Sequence, residues 1–90
     1  MNDKKIRFHK SFTKNFRKRI ITNPALSKKF DERLYIFRNN RYNPVLKDHA
    51  LTGKHNGERA FSITGDIRIV YIEFKDYYLF MDIGTHSQVY

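Results

Sequence analysis

The sequence predicts a two-layer α+β domain: a short N-terminal strand, a helical hairpin, and a mainly antiparallel sheet with the hairpin across one face. Three observations carry this. Apolar residues recur every three to four positions from Phe12 to Phe37, and every second position from Glu58 onward. Asn23-Pro24 and Asn43-Pro44 punctuate the first half, whereas Thr64-Gly65-Asp66 and Lys75-Asp76 divide the second.

Taken in order, Lys5-Ile6-Arg7-Phe8-His9 alternates polar and apolar residues and suits a short, half-buried strand. Ser11 is placed to cap a helix with Phe12, Phe16 and Ile20 on one face and Lys14, Arg17 and Lys18 on the other. Asn23 followed by Pro24 is a restart signal, an N-cap and then a proline in the first turn. The second helix buries Leu26, Phe30, Leu34 and Phe37 and ends near Asn39-Asn40. Asn43-Pro44 then opens a loop through Lys47-Asp48-His49, with Gly53 and Gly57 making further turns. From Glu58 a strand sets Arg59, Phe61 and Ile63 on one face and Ala60 and Ser62 on the other. After the hairpin turn, Ile67 to Phe74 forms the strongest strand. Its Ile67, Ile69 and Tyr71 lie on one side, and Arg68, Val70 and Ile72 on the other. Tyr77 to Ile83 returns as the last strand. The face of the sheet not covered by the hairpin is where a ligand would bind.

Residues 1–90 are one domain, since this length supports a single core. There is no cysteine, which excludes disulfides, zinc–thiolate sites and thiol nucleophiles and suits a reducing cytoplasm. No apolar run approaches the roughly 20 residues of a membrane helix. The 18 basic residues outnumber the 9 acidic ones, and eight of the basic ones fall between Lys4 and Arg19. That excess favours a polyanion, either nucleic acid or an acidic protein. An HxH or HxxxH pair is lacking, so a metal centre is not expected.

The residues able to do chemistry gather late in the chain. They are Lys47-Asp48-His49, Arg59, Asp66, Arg68 and the terminal Gly84-Thr85-His86-Ser87-Gln88-Val89-Tyr90. Histidines with a pKa near about 6.5 give or take protons at neutral pH, and arginines bind phosphates through paired donors. Together they suit binding an RNA phosphodiester and moving protons around it.

Lys47-Asp48-His49-Ala50-Leu51, Gly53, Gly57-x-Arg59, Gly65-Asp66-x-Arg68-x-x-Tyr71 and Asp82-Ile83-Gly84-Thr85-His86, in this order and spacing, resemble the RelE/ParE superfamily of bacterial toxins. Within it the sequence is most similar to the YafQ-like branch, over nearly its whole length. The resemblance implies the RelE/ParE-like fold and a cytoplasmic bacterial mRNA interferase. Such an enzyme cuts mRNA in the ribosomal A site, in contact with 16S rRNA, and is silenced by a cognate acidic antitoxin. Cleavage would proceed by attack of the ribose 2′-hydroxyl on the adjacent phosphate, without a metal or other cofactor.

By the same resemblance His86 is the acid, His49 the base or a phosphate contact, and Asp66 an orienting or assisting carboxylate. Arg68 binds the phosphate and Tyr90 stacks on a base. Lys47, Arg59 and, more weakly, Lys54 are expected RNA contacts, and Lys14, Arg17 and Lys18 are expected to meet the antitoxin. Ser62 and Ile67 depart from the branch, which often carries histidine and tryptophan there, so the division of proton-transfer roles stays open. The alternatives are a non-catalytic, ParE-like gyrase poison and a basic RNA-binding module.

Overall fold

A computed structural model describes residues 4–90. Strand β1 (Lys5–Phe8) leads into helices α1 (Lys10–Arg19) and α2 (Pro24–Asn39). Strands β2 (His49–Ala50), β3 (Arg59–Ser62), β4 (Ile67–Glu73) and β5 (Tyr77–Thr85) follow, and the helical turn α3 (His86–Val89) ends the chain. The strands make one sheet in the order β1-β5-β4-β3-β2. β1 runs parallel to β5, and the other pairings are antiparallel.

Two details of the helical layer bear on its geometry. Helix α1 starts at Lys10, ahead of the expected cap at Ser11. His9 caps it instead, its Nδ1 accepting from the Ser11 N–H at 3.1 Å. A ring nitrogen with a free lone pair satisfies an orphan helix donor as a hydroxyl would. Asn23 does cap α2, accepting from Leu26 N–H at 3.2 Å with Pro24 in the first turn.

The core lies between the helices and one face of the sheet. Phe37 of α2 stacks on Phe61 at 4.6 Å between ring centroids and meets Tyr78 edge-on at 4.9 Å. Ile69, Tyr71, Phe80 and Ile83 close the same cluster from β4 and β5. A bulge makes this possible: Val70 pairs with Asp82 and Tyr71 with Phe80, leaving Met81 between them. The slip of one residue returns both Phe80 and Ile83 to the core side. Beyond Phe80 the short β1 no longer pairs with β5. α1 covers that open edge, with Asn15 donating to Asp82 at 2.7 Å and Arg19 to the Ile83 carbonyl at 2.8 Å.

The opposite face departs from expectation. β5 runs on to Thr85, past the expected end at Ile83, and the last residues fold into α3 rather than a tail. α3 packs on β4 and β5 and buries Val89, so this face is partly covered. Gln88 turns back to accept from Thr85 N–H at 2.8 Å. A Cβ on Gly84 would come within 2.6 Å of that same Gln88 oxygen and of Arg19 Nη1, so both side-chain ends would have to shift to admit it.

The expected loop around Lys47-Asp48-His49 is likewise more ordered, because His49–Ala50 pairs with β3. Its anchor is Asp48, whose side chain is 2% exposed. Asp48 accepts from Arg59 Nε at 2.8 Å and from the Tyr71 hydroxyl. Arg59 Nη2 lies 2.6 Å from the same carboxylate. Arg59, expected as a phosphate contact, is therefore committed internally. It stands opposite Tyr71 in the ladder, on the core side of β3, where an unpaired guanidinium would be costly. Burial opposes the charge on Arg59, but its hydrogen bonds to Asp48 and Tyr71 outweigh it and raise its pKa. Burial and then Asp48 push the Tyr71 hydroxyl far above its usual range, so it remains a donor.

Removing the carboxylate would strand both donors. Asp48→Ala is expected to lower unfolding free energy by about 2–4 kcal/mol, and Tyr71→Phe by about 1 kcal/mol. Urea unfolding checks both; a loss below about 1 kcal/mol for Asp48→Ala would mean that Asp48 does not anchor the loop.

Candidate functional site

Alternation along β4 decides where the chemistry sits. Ile67, Ile69 and Tyr71 belong to the core side, so Arg68 projects from the other face. It is flanked in the ladder by Ser62 of β3 and Gly84 of β5. The carboxylates of β4 and β5 are engaged elsewhere. Glu73 binds Lys4 and Arg41, each at 2.7 Å, and Asp82 binds Asn15 and lies 3.6 Å from Arg19. Among the described residues no carboxylate reaches Arg68. It has a long hydrogen bond to the Gly65 carbonyl, at 3.4 Å, and the ring of Tyr90, 5.7 Å from its guanidinium carbon.

Tyr90 is packed rather than frayed. His86 meets its ring edge-on, with centroids 4.5 Å apart, and His55 lies on it at 5.8 Å. Arg68, His86 and His55 thus surround one aromatic ring. Three polar atoms in this cluster are buried without a hydrogen-bond partner: Arg68 Nε, His55 Nε2 and Tyr90 Oη. Each such orphan costs about 1–3 kcal/mol, and buried polar atoms are normally paired. The three donors and acceptors cluster around the Tyr90 ring and are free to meet a polar group.

His55 lies outside the set of residues that the sequence singles out. Its Nδ1 stands 3.3 Å from Glu58 Oε1, which orients the ring. The i, i+3 spacing of His55 and Glu58 across Gly57, at φ +93°, was the available signal. The other expected residues are more dispersed. His49 faces Ala60 across the β2–β3 ladder, and Ala60 faces Val70, so His49 shares the face of Arg68. It stands two strands from β4, about 10 Å away. The Lys47 carbonyl, 2.8 Å from its Nδ1, can only accept, which leaves Nε2 as the free lone pair. Asp66 is exposed on the hairpin turn; only its backbone N–H is engaged, by Thr64 Oγ1 at 3.2 Å. The loop imidazole and the turn carboxylate therefore border the cluster instead of joining it.

Beside Arg68 a cleft of about 290 Å³ opens at the hairpin end of the sheet. Arg33, Lys47 and Arg68 line it with Val45, Ser62, Thr64 and Gly65. Lys47 and Lys54 are exposed, Lys47 in a left-handed turn at φ +51°. Lys14, Arg17 and Lys18 are exposed on α1, at a distance from this face in the fold. Arg17 borders an apolar groove of about 270 Å³ between Phe8, Phe12, Phe16, Ile21 and Phe30. Phe8 and Ile21, at 49% and 56% exposure, leave that groove open to a partner. No three histidines or carboxylates gather as metal ligands among the described residues. No helix among them is long and apolar enough to cross a membrane.

Comparison with known proteins identifies the family. No curated protein matches the sequence. Among solved structures, a copper-bound mutant toxin from Helicobacter pylori is 30% identical, with a TM-score of 0.80 over 96% of this chain and 98% of its own. A YafQ mutant from E. coli superposes with a TM-score of 0.81 at 20% identity, covering 98% and 99% of the two chains. In the E. coli DinJ–YafQ toxin–antitoxin complex the matching chain gives 0.74 at 23% identity, with 97% of each chain covered. Residues 4–90 match the family described as the bacterial toxin of type II toxin-antitoxin system, YafQ. The chain belongs to that family of toxins.

Proposed function

We propose that this toxin is a ribosome-dependent mRNA endoribonuclease that cleaves by metal-independent transesterification. The observation that carries the reading is Arg68: a guanidinium on the central strand, without a carboxylate partner among the described residues, against the Tyr90 ring that His86 also meets. An uncompensated, half-buried cation suits the charge that builds on a phosphate under attack.

In this reaction the ribose 2′-oxygen gives its proton to a base and attacks phosphorus. The bond from phosphorus to the 5′-oxygen breaks, and that oxygen takes a proton from an acid. The products are a 2′,3′-cyclic phosphate and a free 5′-hydroxyl. His86, exposed at the start of α3 and against Tyr90, serves as the acid. His49 serves as the base through its free Nε2, or contacts the phosphate if the RNA does not span the two strands between them. Tyr90 turns its ring to a base of the mRNA, while Lys47 and Lys54 follow the backbone. Asp66, at the rim, orients an imidazole once RNA is bound.

The same toxin would be silenced by an acidic antitoxin, as YafQ is held by DinJ in the E. coli complex. The exposed Lys14, Arg17 and Lys18 supply charge for it, and the groove of Phe8, Phe16 and Ile21 supplies apolar surface. Induction at matched protein levels, with mRNA ends mapped, tests the proposal. Wild type is expected to arrest translation and cut within codons. Arg68→Ala should lose about 10²–10³-fold of the cleavage rate and His86→Ala about 10²–10⁴-fold. Intact mRNA with altered DNA supercoiling would favour a gyrase poison instead.

A further inference from the structure

We infer that the cleft beside Arg68 is a nucleotide subsite, in which Arg33 of α2 grips the phosphate next to the one undergoing cleavage. This rests on the nuclease reading for the reaction, but on separate residues for the binding. Three cations, Arg33, Lys47 and Arg68, face one cleft whose lining contains no aspartate or glutamate. Like charges gathered around an open space repel one another unless an anion enters, and a cleft focuses their field. At about 290 Å³ the space sits at the lower edge of the roughly 300–1,000 Å³ typical of small-ligand sites. That is room for a nucleotide rather than a bare ion.

The lining is also prepared for a phosphate ester. Arg33 donates Nη1–H to the Val45 carbonyl at 2.9 Å, which fixes the guanidinium while leaving most of its five donors unused. Thr64 Oγ1 accepts from Asp66 and Ile67 N–H at 3.2 and 3.0 Å. Both lone pairs are thereby taken, so the hydroxyl proton is left to donate to a phosphate oxygen. Val45, 40% exposed, gives the one apolar wall, suited to a ribose or base edge. Because Arg68 belongs to both the cleft and the Tyr90 cluster, a strand of RNA laid across the face meets the two in succession. Arg33 acts here as a positioning residue, holding the backbone without touching the reacting bond.

Two measurements test this, with Arg38 as the control: it is an exposed arginine on the same helix, and losing it removes the same charge. In cleavage of ribosome-bound mRNA, Arg33→Ala should raise KM about tenfold with kcat within twofold, and Arg38→Ala should leave both within twofold. Equal rises in KM for the two variants would mean diffuse attraction and overturn the subsite. The second measurement titrates the isolated toxin with a 2′-O-methyl trinucleotide, which cannot be cleaved, and follows arginine Nε–H signals by NMR. The Arg33 signal should shift and saturate while that of Arg38 stays still; a silent Arg33 overturns the subsite. A wild type that shifts at Arg33 but cuts no mRNA would keep the subsite and remove the nuclease reading. Cleavage with a silent Arg33 would do the reverse.

Discussion

The middle strand of the sheet imposes the constraint on which the rest depends. β4 is hydrogen-bonded on both sides, so its residues have only two directions in which to project. Ile69 and Tyr71 must enter the aromatic core, and that fixes Arg68 on the far face. No loop rearrangement can return it to the helices without turning the core out into water. The aromatic core and the Arg68 guanidinium are therefore on opposite faces of the sheet by necessity. α3 then brings the Tyr90 ring to the guanidinium, with His86 edge-on against that ring.

This separation gives the molecule two working surfaces. On one side, α1 carries exposed cations beside an apolar groove, a surface suited to an acidic amphipathic partner. On the other, Arg68 and Lys47 line a polar cleft at the end of the sheet, where α2 reaches round to add Arg33. The positive charge is common to both, but its setting differs. Charge beside apolar surface suits a protein segment, whereas charge among hydroxyl groups without a carboxylate suits a small anion, the phosphodiester of the proposed reading. Asp48 connects the loop to this scheme. Buried under Arg59 and Tyr71, it holds Lys47 and His49 against the edge of the sheet.

The fold was largely legible because its signals are local and periodic. Phe12, Phe16, Phe30 and Phe37 announce the helices by spacing, and Ile67 to Phe74 announces the central strand. What escaped depends on contacts between distant segments. The bulge at Met81 arises from pairing between β4 and β5, and no single segment records it. α3 is one turn long, too short for periodicity to reveal, and it exists because Gln88 finds Thr85 and Val89 finds the sheet. At the candidate site, the resemblance named Arg68, His86 and Tyr90, and the structure gathers Arg68 and His86 around the Tyr90 ring. Arg59 looked equivalent to Arg68 until Asp48 claimed it, since only three-dimensional pairing separates a structural cation from an available one. His55 and Arg33 were passed over for the opposite reason. Each lies in an unremarkable local context and gains its meaning from neighbours far along the chain, Tyr90 for one and Lys47 with Arg68 for the other.

The most direct measurement is a crystal structure of the toxin bound to a ribodinucleotide carrying a 2′-O-methyl group at the scissile position. The expected result has the bridging phosphate on the Arg68 guanidinium, His86 within hydrogen-bond distance of the 5′-oxygen, and a base against Tyr90. A dinucleotide bound along the α1 lysines, with the Arg68–Tyr90 contact undisturbed, would contradict it.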